Sequence, residues 1–345
     1  MNSQTDIHTE EVVFASSSAG ISLAGSLTLP ASDNSGFCIL LLSGSGPQDR
    51  DESIAGHKPF FVLADHMVDR GHTVFRWDDR GVGSSQGDYL TANAELLVAD
   101  VMQAVKAVRK KTDIKKIVLL AHSQGCLIGS MCAARFPGEI DALGLLAGAG
   151  MPGKDVLLHQ HRRICEAEHY DAEITAQSLT IKEQIFDELI RLDNVIRDGA
   201  KAETVIAEAR AKIKALIFPD LEDAELTREE QREVDACLDD LMEWEWRFLL
   251  NKNPADDLMR VSCPVLLMTG THDTQVSVEE DLPLMRRALR DGGNDKVTVE
   301  VLDAHNHLFQ RCETGALSEY EAINEVWSPE SLAAVTRWLD SLKAR

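Results

Sequence analysis

Between residues 10 and 150, short apolar runs rich in β-branched residues alternate with stretches of helical periodicity. The runs predict strands at 11–14, 21–29, 38–42, 73–77, 117–120 and 142–147. Ile21, Leu23, Leu27 and Leu29 share one face of the second run, the signature of a half-buried, antiparallel strand. The later runs are continuously apolar, as strands covered on both faces must be. Residues 59–70 and 92–110 read as helices between them. Such alternation predicts an α/β class with a mostly parallel sheet and right-handed crossovers.

The alternation stops near Gly150 and resumes with strands at 264–269 and 297–301 and a closing helix at 329–342. Residues 151–259 read as almost pure helix. Ile185, Leu189, Leu192 and Ile196 fall on one helical face, and Gly199 is placed to end that helix. Thr227-Arg228-Glu229-Glu230 has the form of a capping box. The expected organisation is therefore a sheet core from residues 1–150 and 260–345, with a helical cap of residues 151–259 inserted between two of its strands.

Charge narrows the function classes. Lys plus Arg number 35 against 57 Asp plus Glu, a formal net charge of −22. So acidic a surface repels phosphate backbones and anionic lipid, which argues against nucleic-acid or membrane partners. The insert, with 26 acidic and 14 basic residues, carries much of that charge. No stretch approaches the ~18 apolar residues of a membrane span. The start of the chain has no basic region followed by an apolar run, so no signal peptide is expected. Seven scattered cysteines without a C-x-x-C pair suggest reduced thiols and a cytoplasmic location, not disulfides or zinc. His159, His161 and His169 cluster at the start of the insert without a carboxylate or thiol at ligand spacing, and no metal is expected there.

Two serines compete for the role of nucleophile. Gly83-Ser84-Ser85-Gln86-Gly87 matches Gly-x-Ser-x-Gly literally, but no strand runs into it and no helix leaves it. Ala121-His122-Ser123-Gln124-Gly125 departs from the literal pattern yet has the required context. An apolar strand feeds it directly, and a small-residue helix, beginning at Cys126, leaves it. Ser123 is the expected nucleophile, and Ser85 an ordinary loop residue.

A serine hydroxyl needs a base, and the base needs an orienting acid. In this kind of sheet the acid follows the next-to-last strand, where Gly270-Thr271-His272-Asp273 offers Asp273. The histidine follows the last strand, where Asp303-Ala304-His305-Asn306-His307 offers two, and position alone does not choose. An oxyanion hole needs two backbone N–H groups. Gln124 supplies one, and the glycine-rich loop Ser43-Gly44-Ser45-Gly46-Pro47 the other, with Ser45 first choice and Gly46 second. In the insert, Trp246 and Phe248 are candidate substrate-binding residues, expected to roof the site and set acyl length.

These segments resemble the α/β-hydrolase superfamily, and within it the bacterial carboxylesterases related to dienelactone hydrolases and prolyl-oligopeptidase-type enzymes. The resemblance rests on 42–51, 76–87, 121–125, 270–276 and 306–310, in that order. It implies Ser123, Asp273 and His307 as a triad, because the family's histidine sits in an Asn-His pair before an apolar residue. It also implies that Asp79-Arg80-Gly81 is a structural loop bracing the site. Ala121 replaces the usual first glycine, and Ser43 stands where many relatives have histidine. The expected activity is hydrolysis of a small-molecule carboxylic ester through an acyl-enzyme, without metal or organic cofactor. Amide or thioester cleavage, or acyl transfer, keeps the same triad, and a catalytically silent binding protein is the reading from another class. A homodimer is compatible with all of these.

Overall fold

The computed structural model describes residues 8–18, 20–31, 37–114, 116–219, 221 and 226–343. Residues 1–7, part of the stretch in which no signal peptide is expected, lie outside them. The chain divides into two compact units, Met1–Met151 with Pro254–Arg345, and Pro152–Asn253.

Among the described residues, the first unit is built on eight strands: β1 (His8–Ala15), β2 (Ser22–Leu29), β3 (Phe37–Leu42), β4 (Thr73–Trp77), β5 (Lys116–His122), β6 (Ala142–Leu146), β7 (Val265–Gly270) and β8 (Val297–Leu302). They form one sheet in the order β1-β2-β4-β3-β5-β6-β7-β8. β1 and β2 pair antiparallel, as do β2 and β4. The remaining pairings are parallel. Three helices interrupt the first six strands: α1 (Pro59–Val68), α2 (Ala94–Lys111) and α3 (Gly125–Arg135).

Among the described residues, the second unit carries five α-helices: α4 (Gly153–Ala167), α5 (Ala172–Arg197), α6 (Ala202–Ile217), α7 (Arg228–Met242) and α8 (Trp244–Asn251). α9 (Ala255–Leu258), α10 (Asp281–Asp291) and α11 (Pro329–Lys343) return the chain to the first unit.

Alternate strand residues serve opposite faces of the sheet. Ile39, Val118, Leu120, Leu266 and Met268 form one core with Phe60, Leu63 and Met67 of α1 and Val335, Trp338 and Leu339 of α11. Each large side chain buried there contributes about 1.5–3 kcal/mol relative to exposure. On the other face, Leu42, Ala121 and Leu143 lie against Gly129 of α3, close enough that a side chain at 129 would crowd them. Continuous burial along β3, β6 and β7 follows from this double cover.

In the helical unit, Ile185, Phe186 and Leu189 of α5 pack with Ile213 of α6, Val234 and Leu238 of α7 and Leu250 of α8. Gly199 takes φ +96° just beyond α5, where a side chain would be strained. The capping box is present at α7, with the Glu230 amide donating to Thr227 Oγ1 (3.3 Å) and the Thr227 amide to Glu230 Oε2 (2.8 Å). The unit ends at Asn253, six residues before the expected 259. The short helix α9, with Asp257 and Leu258 buried, packs on α10 and α3 instead.

Candidate active site

β5 runs directly into Ser123, and α3 leaves two residues later. Ser123 has φ +51°, a left-handed conformation that costs a non-glycine residue about 1–3 kcal/mol. The elbow is held from behind by the Ser123 amide, which donates to the Leu146 carbonyl at 2.9 Å. Close approach fixes the residue types around it. A Cβ on Gly125 would run into the Ser43 carbonyl oxygen and lie 2.7 Å from that of Leu42. Ala121 fits in place of the usual glycine because the helix residue facing it is Gly129.

The last two strands deliver the other candidates. Asp273 follows β7 and is 0% exposed. Its Oδ1 accepts the amides of Gln275 (2.8 Å) and Val276 (2.9 Å), which aims Oδ2 outward from its own turn. Oδ2 lies 2.8 Å from His307 Nδ1, and His307 Nε2 lies 2.9 Å from Ser123 Oγ. A carboxylate only accepts, so the proton sits on Nδ1 and the Nε2 lone pair faces the serine hydroxyl. The loop that carries His307 is fixed by Asn306, whose Oδ1 accepts the amides of Leu308 and Gln310, both at 3.0 Å.

The rejected alternatives have other partners. His305 is buried with Nδ1 at 2.7 Å from the Asp303 carbonyl and Nε2 at 2.6 Å from Ser328 Oγ. Ser85 Oγ donates to the Asp78 carbonyl (2.7 Å) and accepts the Ala24 amide (2.9 Å). It staples a loop whose Gly81, Gly83 and Gly87 all have positive φ.

The glycine-rich loop after β3 is tied down at several points. Asp79 Oδ2 accepts the Gln48 amide (3.0 Å) and the Ser43 hydroxyl (3.3 Å). Arg80 is buried in an ion pair with Asp100 (2.6 Å). The Gly44 amide donates to Glu52 Oε1 at 2.6 Å. Among the described residues, the amides of Ser45 and Gln124 donate to no acceptor. A cavity of about 40 Å³ lies against the same two loops, lined by Ser43, Gly44, Gln124 and Gly125 with apolar Leu42, Trp77, Tyr89 and Ile128.

Two buried groups escape the sequence reading. His122 precedes Ser123, and its Nδ1 lies 2.9 Å from Glu52 Oε1 while its Nε2 lies 3.0 Å from the His307 carbonyl. Its ring stands 4.9 Å from that of His307, centroid to centroid. Burial alone pushes the His122 imidazolium down, but the charge and hydrogen bond of Glu52, with the His307 carbonyl and Asp273, hold it above the ordinary histidine value. Neither residue has a local signal: position 122 is a variable place in the elbow motif, and Glu52 is one of several acids in a polar loop.

Of the two cap candidates, Trp246 lies against Phe186 (6.1 Å between centroids) and Phe248 against Trp244 (6.1 Å). Both are half-buried within the helical unit.

Comparison with known proteins agrees with this architecture. Residues 58–219 match the family described as serine aminopeptidase, S33. The chain is 25% identical over 288 residues to esterase EstD of Thermotoga maritima, a match covering 83% of this chain. It spans only 58% of the length of that curated relative. An esterase structure from Pyrococcus furiosus superposes with a TM-score of 0.59 at 16% identity, covering 98% of this chain and 92% of that one. Proline iminopeptidase from Mycobacterium smegmatis superposes with a TM-score of 0.56 at 17% identity, covering 97% and 99%. At such identities the structures speak to fold alone. Sheet order and likeness over nearly the whole length give the chain the α/β-hydrolase fold.

Proposed function

We propose that the protein is a serine esterase hydrolysing small carboxylic esters through an acyl-enzyme. The observation that carries this reading is the continuous hydrogen-bonded line from Asp273 through His307 to Ser123. His307 Nε2 takes the hydroxyl proton as Ser123 Oγ attacks the ester carbonyl. The oxyanion so formed is held by the amides of Ser45 and Gln124, which are free to donate while that of Gly44 is engaged. Asp273 stabilises the imidazolium, which protonates the leaving alcohol. A water deprotonated by His307 then attacks the acyl-enzyme, the acid leaves, and Ser123 regains its proton. None of these steps calls for a metal or an organic cofactor.

The ester preference draws support from the likeness to EstD. Amide cleavage is the second reading, favoured by the match to the serine aminopeptidase family. Initial rates on matched p-nitrophenyl esters and p-nitroanilides separate them. The ester reading requires kcat/KM to favour esters by orders of magnitude, and parity or reversal overturns it.

We assign selection of acyl length to Trp246 and Phe248, two half-buried aromatics of the helical unit. In an ester series of graded chain length, Trp246→Ala and Phe248→Ala should shift the relative kcat/KM by about 1–3 kcal/mol, the usual worth of a methylene or two. An unchanged profile in both folded variants removes that assignment. We place the enzyme in the cytoplasm on its cysteine usage; among the described residues no helix is long and apolar enough to cross a membrane.

A further inference from the structure

We propose that Glu52 and His122 form a buried charged pair that positions both arms of the site, tying the loop that bears the Ser45 amide to the loop that bears His307. This rests on the serine-hydrolase reading of Ser123. Glu52 Oε1 accepts two N–H groups, from Gly44 at 2.6 Å and from His122 Nδ1 at 2.9 Å. The first holds the oxyanion loop one residue before Ser45. On the far side of the imidazole, Nε2 meets the His307 carbonyl at 3.0 Å. Both ring nitrogens of His122 therefore face acceptors, a carboxylate and a carbonyl. With Glu52 ionised, a neutral imidazole has one N–H and satisfies only one of them, so the arrangement calls for the imidazolium.

The groups around His122 favour that state. Glu52 from the loop after β3 and Asp273 from the loop after β7 both favour the charge. His307, after β8, offers its carbonyl and stands its own titratable ring 4.9 Å away, and Cys126 of α3 is a thiol kept neutral by burial. Glu52 itself is 4% exposed and adopts φ +51°, a strained conformation for a residue with a side chain. Strain of this kind persists where surrounding contacts over-determine it, and here those contacts are the bond of the Glu52 amide to the Asp49 carbonyl (2.9 Å), the Gly44 amide and His122. If the ring loses its charge, a nitrogen lone pair is turned toward either Glu52 or the His307 carbonyl, and one tie opens. Neither residue touches the reacting atoms, so both are positioning residues, and their loss should appear in kcat more than in KM.

The test uses protein labelled with ¹⁵N at histidine. His122→Gln identifies the His122 ring signals, and their shifts at pH 7.5 report whether both nitrogens carry protons. The expected result is an imidazolium at His122 in the wild type and a neutral ring in Glu52→Gln. Glu52→Gln should also label at Ser123 with a fluorophosphonate some 10- to 100-fold more slowly, and lose a similar factor in kcat with KM within threefold. A neutral His122 ring in the wild type overturns the proposal, even if Glu52→Gln does not fold. So does a Glu52→Gln variant with a neutral ring and wild-type labelling rate. A wild type that labels at Ser123 but cleaves no ester overturns the ester reading alone, since ring state and labelling rate then still support the pair.

Discussion

Ser123 and His307 are 184 positions apart in the chain, yet Oγ and Nε2 meet at 2.9 Å. The contact exists because both lie just beyond the carboxyl ends of parallel strands, β5 and β8, in one sheet. Loops at that edge converge, which is where ligands bind in open α/β sheets. The geometry makes the two histidines of the last loop easy to tell apart. His307→Ala should lower kcat by about 10⁴-fold or more, as removal of any member of a cooperating triad does. His305→Ala loses bonds to Asp303 and Ser328 and should cost stability while retaining activity within about tenfold. Steady-state kinetics on folded variants decides, and selective loss in the His305 variant would reverse the assignment.

Ser85 carries the literal motif and should matter for folding rather than rate. Ser85→Ala leaves the Ala24 amide without its acceptor, at about 1–3 kcal/mol. Urea unfolding should show that loss, while kcat/KM stays within about tenfold of wild type. A drop of several orders of magnitude in rate would return Ser85 to candidacy.

Gly125 should tolerate no side chain. Its Cβ would press on the carbonyls of Ser43 and Leu42, which are backbone and cannot swing aside. Gly125→Ala should therefore destabilise by about 1–3 kcal/mol, in the range of overpacking, and displace the Gln124 amide beside it. A melting curve and a labelling rate both matching wild type would show that this contact relaxes freely.

The Glu52–His122 pair gives stability a pH dependence of known sign. The folded His122 value is raised above the unfolded value of about 6.5. Its stabilisation is thus fully present below about pH 6.5 and lost as pH rises through the folded value. The stability gap between wild type and His122→Gln, measured by urea unfolding, should be larger at acid-neutral pH and shrink on the alkaline side. A gap that widens with rising pH contradicts the charged pair.

Much of this was legible along the chain. The strands of the parallel core announce themselves because burial on both faces requires unbroken apolar runs, and the elbow because close packing demands small residues at 121 and 125. The sequence puts the end of the helical unit at 259 rather than 253 because α9 continues the helical, acidic composition of what precedes it, while its packing belongs to the other unit. Glu52 and His122 were invisible for a different reason. Their meaning lies in a contact across 70 positions, and neither residue type at its own place distinguishes a buried pair from a solvated loop.

The central claim is that Ser123 is the nucleophile, activated by His307. The most direct measurement is reaction with a fluorophosphonate followed by mass spectrometry of the intact protein and its peptides. The account predicts a single adduct, located on Ser123, that disappears in Ser123→Ala and forms far more slowly in His307→Ala. An adduct on Ser85, or a folded wild type that never labels, would contradict it.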